Sequence, residues 1–565
     1  MFSWFGSYKV YSSVRHSSTP QHSTSISANV DSGRVEMSSE GHSLNTRDEQ
    51  QMIAALDRAQ SKRGLHSKQY KPQAIDVWAM TMTTVLGGMY YGWNIALKSG
   101  FGSYLISQTL MGLSYIVLIF SLAEIISITS FSGGTYGMAR VVLGFYPGFI
   151  CASFELMEYM FYTAAAARFI SEYFCEFYLE DTWKPAIAFL FYIIALLFLL
   201  EGNKIFWNFN LLLGFISLLI LIIYCLICFS FSDFTRNVPL HSDTNHPDAI
   251  DNWFHGGIVL FLRYIPYTTW GYGGIESATL VTDLIHIPRQ NLPKGITSGV
   301  ITLFVMMTVL LFTSVSASPE GLNTFIHRDY FMNIGWHHVG LNSKYADLLM
   351  IPAQFAMGFG FMLPAAKLFH AMAQSRLLPV ELGITTSNDY RKALLYTTFI
   401  SYLVCLVSIY IPTFDIDNLP ILFALITYLR DLYAYYRLQT DFRTSERIFR
   451  SPFGILGAFL ASCYFFIGIL GLTLFQDNYF VLQYISVIGV IITIYYFVYG
   501  KYIQIFSDQE QKTLLTLHIL AMNRRKRSKK MKKRIIKYLD QYLPVSNVID
   551  WFESNVSSKI VNRYC

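Results

Sequence analysis

The sequence predicts an all-α integral membrane fold that crosses the bilayer twelve times. Three observations predict it. The 565 residues are 53% hydrophobic and 14% charged, with a mean hydropathy of +0.37, whereas soluble domains run nearer a quarter charged. Runs such as "AIAFLFYIIALLFLL" and "FNLLLGFISLLILIIYCLICF" approach the roughly 20 apolar residues that cover a ~30 Å hydrocarbon core. Two of the expected spans are interrupted, the first by glycines toward its outer end and the sixth by proline and glycine midway.

Taken in order, residues 1–73 are rich in Ser, His, Gln and Thr without a persistent apolar period. They read as a disordered cytoplasmic tail. No compact apolar core of a signal peptide precedes the first span, which is expected to serve as its own insertion signal. A twelve-span domain then occupies 74–503, with spans near 74–97, 103–128, 147–172, 184–200, 205–231, 258–283, 296–317, 346–373, 393–411, 419–436, 454–475 and 480–503. Basic residues fix the expected orientation. With the N-terminus cytoplasmic, the inner connections hold Arg140, Lys204, Arg289, Lys294, Arg376, Arg391, Lys392, Arg437, Arg443, Arg447 and Arg450. The outer ones hold Lys98, Lys184, Arg236, Arg328 and Lys344 over longer loops. Both termini are therefore placed in the cytoplasm, and the membrane is expected to be the plasma membrane, with an endomembrane as the alternative.

The tail 504–565 carries "NRRKRSKKMKKR" at 523–534. Beside a membrane such a cluster attracts anionic lipid, each basic group adding about 1 kcal/mol; a topology anchor or a solvated run are the equal alternatives. No nucleic-acid reading module accompanies it. The chain has no phosphate loop, HExxH or GxSxG elbow, so neither an ATP-driven pump nor a known soluble hydrolase is indicated. It is read as no enzyme and as needing no cofactor beyond a coupling ion, H+ or Na+. Seven cysteines lie mostly in apolar spans; Cys225 and Cys228 read as small apolar fillers rather than a metal or redox pair.

The interruptions carry the functional reading. "GGMYYGWNIALKSGFG" (87–102) closes the first span, and "YIPYTTWGYGGIESATL" (264–280) holds Pro266, Gly271, Gly273 and Gly274 inside the sixth. In lipid an unpaired backbone group costs several kcal/mol, so unwinding there is tolerated where freed groups face a ligand, an ion or water. One glycine patch alone would equally serve close helix packing, as Gly88 and Gly92 form a small-xxx-small pair. Two patches at the first and sixth of twelve spans match two five-span units repeated with opposite topology. Freed carbonyls attract ammonium or metal cations and freed amides attract anions, so a small, polar, charged ligand is expected.

"GGMYYGWNIALKSGFG", "LAEIISITSFSGGTYGMARVVLGFYPGFI", "MEYMFYTAAA" and "TTWGYGGIESA" resemble the amino acid–polyamine–organocation superfamily, and within it the ethanolamine permeases and their amino-acid-transporting neighbours. Gly92-Trp93-Asn94, Ala123-Glu124 and "SGGTY" at 132–136 are the most specific pieces. "HAMAQSRLLP" (370–379) is similar to the loop after the eighth span, departing at Gln374, Ser375 and Arg376. The resemblance covers about 74–503 and implies a LeuT-like 5+5 inverted repeat with helices 1 and 6 unwound, two added helices, and secondary transport by alternating access. Tyr90 and Tyr91 stand between Gly88 and Gly92 where many amino-acid carriers have Gly-x-Gly, which keeps an amino alcohol or amine among the expected substrates.

Charges in the spans mark the remaining candidates, because each costs about 2.5–3.5 kcal/mol near mid-bilayer. Glu155, Glu158 and Tyr162 share one face of the third span. Glu158 falls about half way through it and could hold a substrate ammonium or a proton, or make a structural hydrogen bond. Glu276 follows Gly273-Gly274 and is suited either to the ligand or to capping a resumed helix. Tyr90, Tyr91, Trp93, Tyr267 and Trp270 offer aromatic faces to an ammonium, although packing serves any one ring as well. Glu124 is expected to pair structurally, Arg168 with Glu172 to form an i, i+4 ion pair, and Lys367 and His370 to snorkel toward the cytosol.

The expected function is a permease for amino acids or small amines such as ethanolamine. Its candidate substrate site comprises Gly88, Tyr90, Tyr91, Gly92, Trp93, Asn94, Glu158, Trp270, Gly271, Gly273, Gly274 and Glu276. A substrate-sensing receptor on the same scaffold is the alternative.

Overall fold

In a computed structural model the described residues are 70–128, 133–238, 253–318, 325–326, 331–379, 382, 390–411, 413–441, 447–507 and 510–511. The tail 1–69, the basic run 523–534 and the rest of the C-terminal tail lie outside them. All regular structure among these residues is helical. The principal helices are α1 (Ala74–Tyr90), α2 (Phe101–Ile128), α3 (Phe145–Phe177), α4 (Lys184–Glu201), α5 (Asn203–Ser230) and α6 (Gly257–Tyr264). They continue as α7 (Pro288–Ser316), α8 (Ile351–Gln374), α9 (Arg391–Tyr410), α10 (Asn418–Asp441), α11 (Gly454–Leu474) and α12 (Phe480–Tyr495). A short helix, Thr135–Leu143, precedes α3.

Among the described residues, eight helices are long and apolar enough to cross a membrane: those containing α2, α4, α5, α7, α8, α9, α11 and α12. The other four expected spans fall short for two reasons. α1 and α6 stop after 17 and 8 residues. α3 and α10 instead carry several acidic and basic residues, Glu155, Glu158, Arg430 and Asp431 among them. The candidate site draws on α1, α3 and α10 and on the segment that follows α6.

Burial separates inside from outside. The apolar window of α2 is 83% buried and that of α12 only 17%, so α2 belongs to the core and α12 to the periphery, where apolar side chains such as Val498 and Val487 point outward. α2 packs on α7 and α3 on α8, the pairs a five-helix repeat would relate. α1 is enclosed by α5, α7 and α8. Its start is fixed by a reciprocal cap, in which the Gln73 N–H donates to Asp76 at 2.7 Å and the Tyr70 hydroxyl joins the same carboxylate at 3.1 Å. The described cysteines are free thiols, Cys225 and Cys228 buried.

Candidate functional site

Two backbone interruptions build the site. α1 stops at Tyr90, Tyr91 is extended, Gly92 is left-handed (φ 85°), and a 3-10 segment runs Trp93–Ser99. α6 passes into a 3-10 segment, Ile265–Gly271, opened by Pro266; Gly274 is again left-handed (φ 85°) before a second 3-10 segment, Ile275–Val281. Left-handed backbone costs a residue with a Cβ roughly 1–2 kcal/mol, which explains glycine at both places. The interruptions touch: a Cβ on Gly88 would lie 2.1 Å from the Trp270 carbonyl oxygen, and Gly92 faces the Trp270 indole. Side chains from neighbouring helices meet backbone groups beside the breaks. Gln354 of α8 donates to the Gly87 carbonyl (2.9 Å), and the Gly274 N–H donates to the Tyr428 hydroxyl of α10 (3.1 Å).

A polar cavity opens beside this contact. It is lined by Gly87 and Tyr91, Trp270, Arg168 and Glu172 of α3, Gln354, and Asp417 just ahead of α10. Arg168 Nε lies 2.6 Å from Glu172, the expected i, i+4 pair. Desolvation pushes Asp417 up to about 6, against the opposing pull of Arg168, with Asp415 raising it further. Tyr162 stands below the cavity, edge-on to Trp270 at 5.7 Å and stacked on Phe361 at 5.0 Å.

Deeper lies a cluster of four carboxylates and one guanidinium. Arg430 donates to Glu155 (2.5 Å), to Asp431 (2.8 Å) and to Thr135 Oγ1 (2.8 Å). The Tyr159 hydroxyl lies 3.1 Å from both Glu155 and Glu276. Glu158 accepts from Tyr428 (3.3 Å) and Thr427 (3.4 Å). Glu155, Glu158, Glu276, Arg430 and Asp431 are all buried. Arg430 thus balances Glu155 and Asp431, while Glu158 and Glu276 have no ion-pair partner among the described residues, and Glu276 Oε2 has no hydrogen bond. A buried carboxylate in that condition is costly unless a proton or a cationic ligand joins it.

The twelve candidate residues divide by place. Tyr91 and Trp270 reach the cavity; Gly88, Gly92, Gly273 and Gly274 shape the breaks; Glu158 and Glu276 belong to the carboxylate cluster. Tyr90 instead donates to the Ser217 carbonyl of α5 (2.5 Å). Trp93 donates to the Met89 carbonyl (2.8 Å) and packs among Tyr104, Phe325 and Phe331. Asn94 donates to the Phe325 carbonyl (3.1 Å), and Gly271 lies against Met307. The structure adds Arg430, Asp431, Tyr159, Tyr428 and Asp417. An arginine and an aspartate side by side in the tenth apolar span were the signal for the first two. Glu124 has the structural role expected, meeting Arg447, Tyr435 and Gln439. Lys367 is buried along its stem, and its ammonium pairs with the part-exposed Asp283 (2.7 Å) over the Tyr390 ring.

The amino acid permease family model matches residues 78–512 of the chain. A protein of Rhizobium meliloti (strain 1021), described only as an uncharacterized transporter, is 26% identical over 261 residues, which are 43% of this chain and 52% of that relative. The match therefore spans about half the length of the relative.

Proposed function

The chain belongs to the amino acid permease family, and from that premise we propose that it is a secondary active permease carrying an amino acid or a small amine such as ethanolamine by alternating access. The observation that supports this most is the contact of the two interruptions, Gly88 on Trp270, beside a polar cavity lined by residues of α1, α3, α8 and the 3-10 segment after α6. Broken helices beside a cavity expose backbone dipoles to a solute.

The substrate ammonium approaches past Asp417 and Glu172 and settles under Trp270 and Tyr162, whose faces favour a cation. Glu158 and Glu276, lacking a basic partner, supply its counter-charge. Coupling is by protons. One phenol has one hydrogen to give, yet Tyr159 stands 3.1 Å from a carboxylate oxygen of both Glu155 and Glu276. Shared between two ionised carboxylates that hydrogen would make a weak three-centre bond; a proton on one carboxyl makes both contacts full hydrogen bonds, and Glu155 is already engaged by Arg430. We further propose that the protein acts in the plasma membrane with both termini in the cytoplasm, and that the basic sequence at 523–534 serves to attract anionic lipid.

The test is uptake into reconstituted vesicles of labelled ethanolamine, choline and neutral, basic and acidic amino acids, with and without an inward proton gradient. Gradient-dependent accumulation of an amine-bearing solute is expected. Saturable binding without accumulation would instead make the chain a sensor.

A further inference from the structure

After α12 the chain turns back across one end of the bundle. The Ile505 N–H donates to the Ser375 carbonyl at the C-terminus of α8 (3.1 Å). Arg140, from the short helix ahead of α3, donates to the Ile505 carbonyl (3.3 Å) and to Glu510 Oε1 (2.7 Å). Glu510 Oε2 accepts from Ser375 Oγ (2.9 Å) and from the Ser507 N–H (2.7 Å), while its own N–H donates to Ser507 Oγ (3.3 Å). The last two contacts are the reciprocal pattern of a capping box, so Glu510 is held in place locally before it meets Arg140. The Phe506 ring packs on Phe145 at 4.7 Å, and the Arg140 guanidinium lies over both rings. Both charged side chains are 0% exposed.

This strap therefore ties together the connection after α2, the first residue of α3 and the last turn of α8. The polar cavity lies at the other end of α3, at Arg168 and Glu172. Phe145 and Arg168 are about 35 Å apart at a rise of about 1.5 Å per residue, roughly the thickness of the hydrocarbon core. The cavity and the strap thus lie at opposite ends of α3. The strap contact is one that can break: Arg140 Nε and Nη2 are buried without a partner, so the guanidinium grips Glu510 through one nitrogen rather than a bidentate fork.

Resting on the permease reading, we propose that Ile505, Phe506, Ser507 and Glu510 form the inner gate, with Arg140 and Glu510 its closing contact, and that the strap lifts in every transport cycle. A solute held near Glu158 reaches the cytoplasm only when the connection after α2 and the end of α8 part, and the strap joins them directly.

Two measurements test this. Ser375→Cys with Ile505→Cys places two thiols across the strap without removing Arg140 or Glu510. Oxidation of the full chain in vesicles is expected to abolish uptake and reduction to restore it, with either single variant insensitive to oxidant. Full cross-linking with undiminished uptake would overturn the proposal. Separately, alkylation of a cysteine at position 375, buried beneath the strap, is expected to run faster when Glu510→Gln is added; an unchanged rate would also overturn it. The alkylation measurement needs no substrate. Failure of the permease reading would show instead as no accumulation by the wild-type chain while the alkylation difference persists.

Discussion

The carbonyl oxygen of Trp270 lies so close to Gly88 that a Cβ there would stand 2.1 Å from it. No side chain fits between the two broken helices at that point, and their separation is set by the absence of one. Gly88→Ala must push α1 from Trp270. Overpacking of this kind costs about 1–3 kcal/mol, and the displacement reaches Gly87 and Tyr91 on the cavity wall. Substrate uptake is expected to be lost while membrane expression is reduced only modestly, measured by vesicle uptake beside quantified surface protein.

Glu158→Gln keeps the side-chain shape and an acceptor for Tyr428 or Thr427, and removes the charge. Transport is expected to disappear with expression intact. Wild-type rates would take Glu158 out of the ammonium site.

Arg430→Met leaves Glu155 and Asp431 buried without their cation. Removing one partner of a buried pair costs about 3–5 kcal/mol, so the melting temperature is expected to fall steeply. Adding Glu155→Gln should recover part of the loss, since the two residues are in contact and their effects do not add. Additive losses in thermal melts of the detergent-solubilised variants would contradict the pairing.

Asp417 titrates at about 6, above the ordinary aspartate value of 3.8, chiefly because burial disfavours its charge. A carboxyl raised on folding contributes stability that is complete below its unfolded value and lost as pH rises through the folded one. Asp417→Asn should therefore change little at pH below 4 and gain in melting temperature over the wild type as pH rises through about 6. A difference that does not vary with pH would contradict this.

The sequence made the membrane character and the two interruptions readable because each is local. Apolar runs, Pro266 and paired glycines act within a few residues of themselves, and the left-handed Gly92 and Gly274 fall inside the stretches they mark. Side-chain direction was less readable. Tyr90 and Tyr91 are neighbours, yet one turns into α5 and the other into the cavity, because the chain becomes extended between them. Trp93 and Asn94 are similarly drawn to Phe325 by contacts more than two hundred residues away in sequence. The pairing of Arg430 with Glu155, and of Lys367 with Asp283, also depends on which helices become neighbours. A lone cation in an apolar span reveals its cost but not its partner.

The most direct measurement is an electron cryomicroscopy map of the chain in lipid with a transported amine bound. The account predicts density for the solute between Gly87–Gly92 and Trp270–Gly274, its ammonium within hydrogen-bond reach of Glu158 or Glu276. Continuous α-helix through both stretches, or a solute bound away from them, would contradict it.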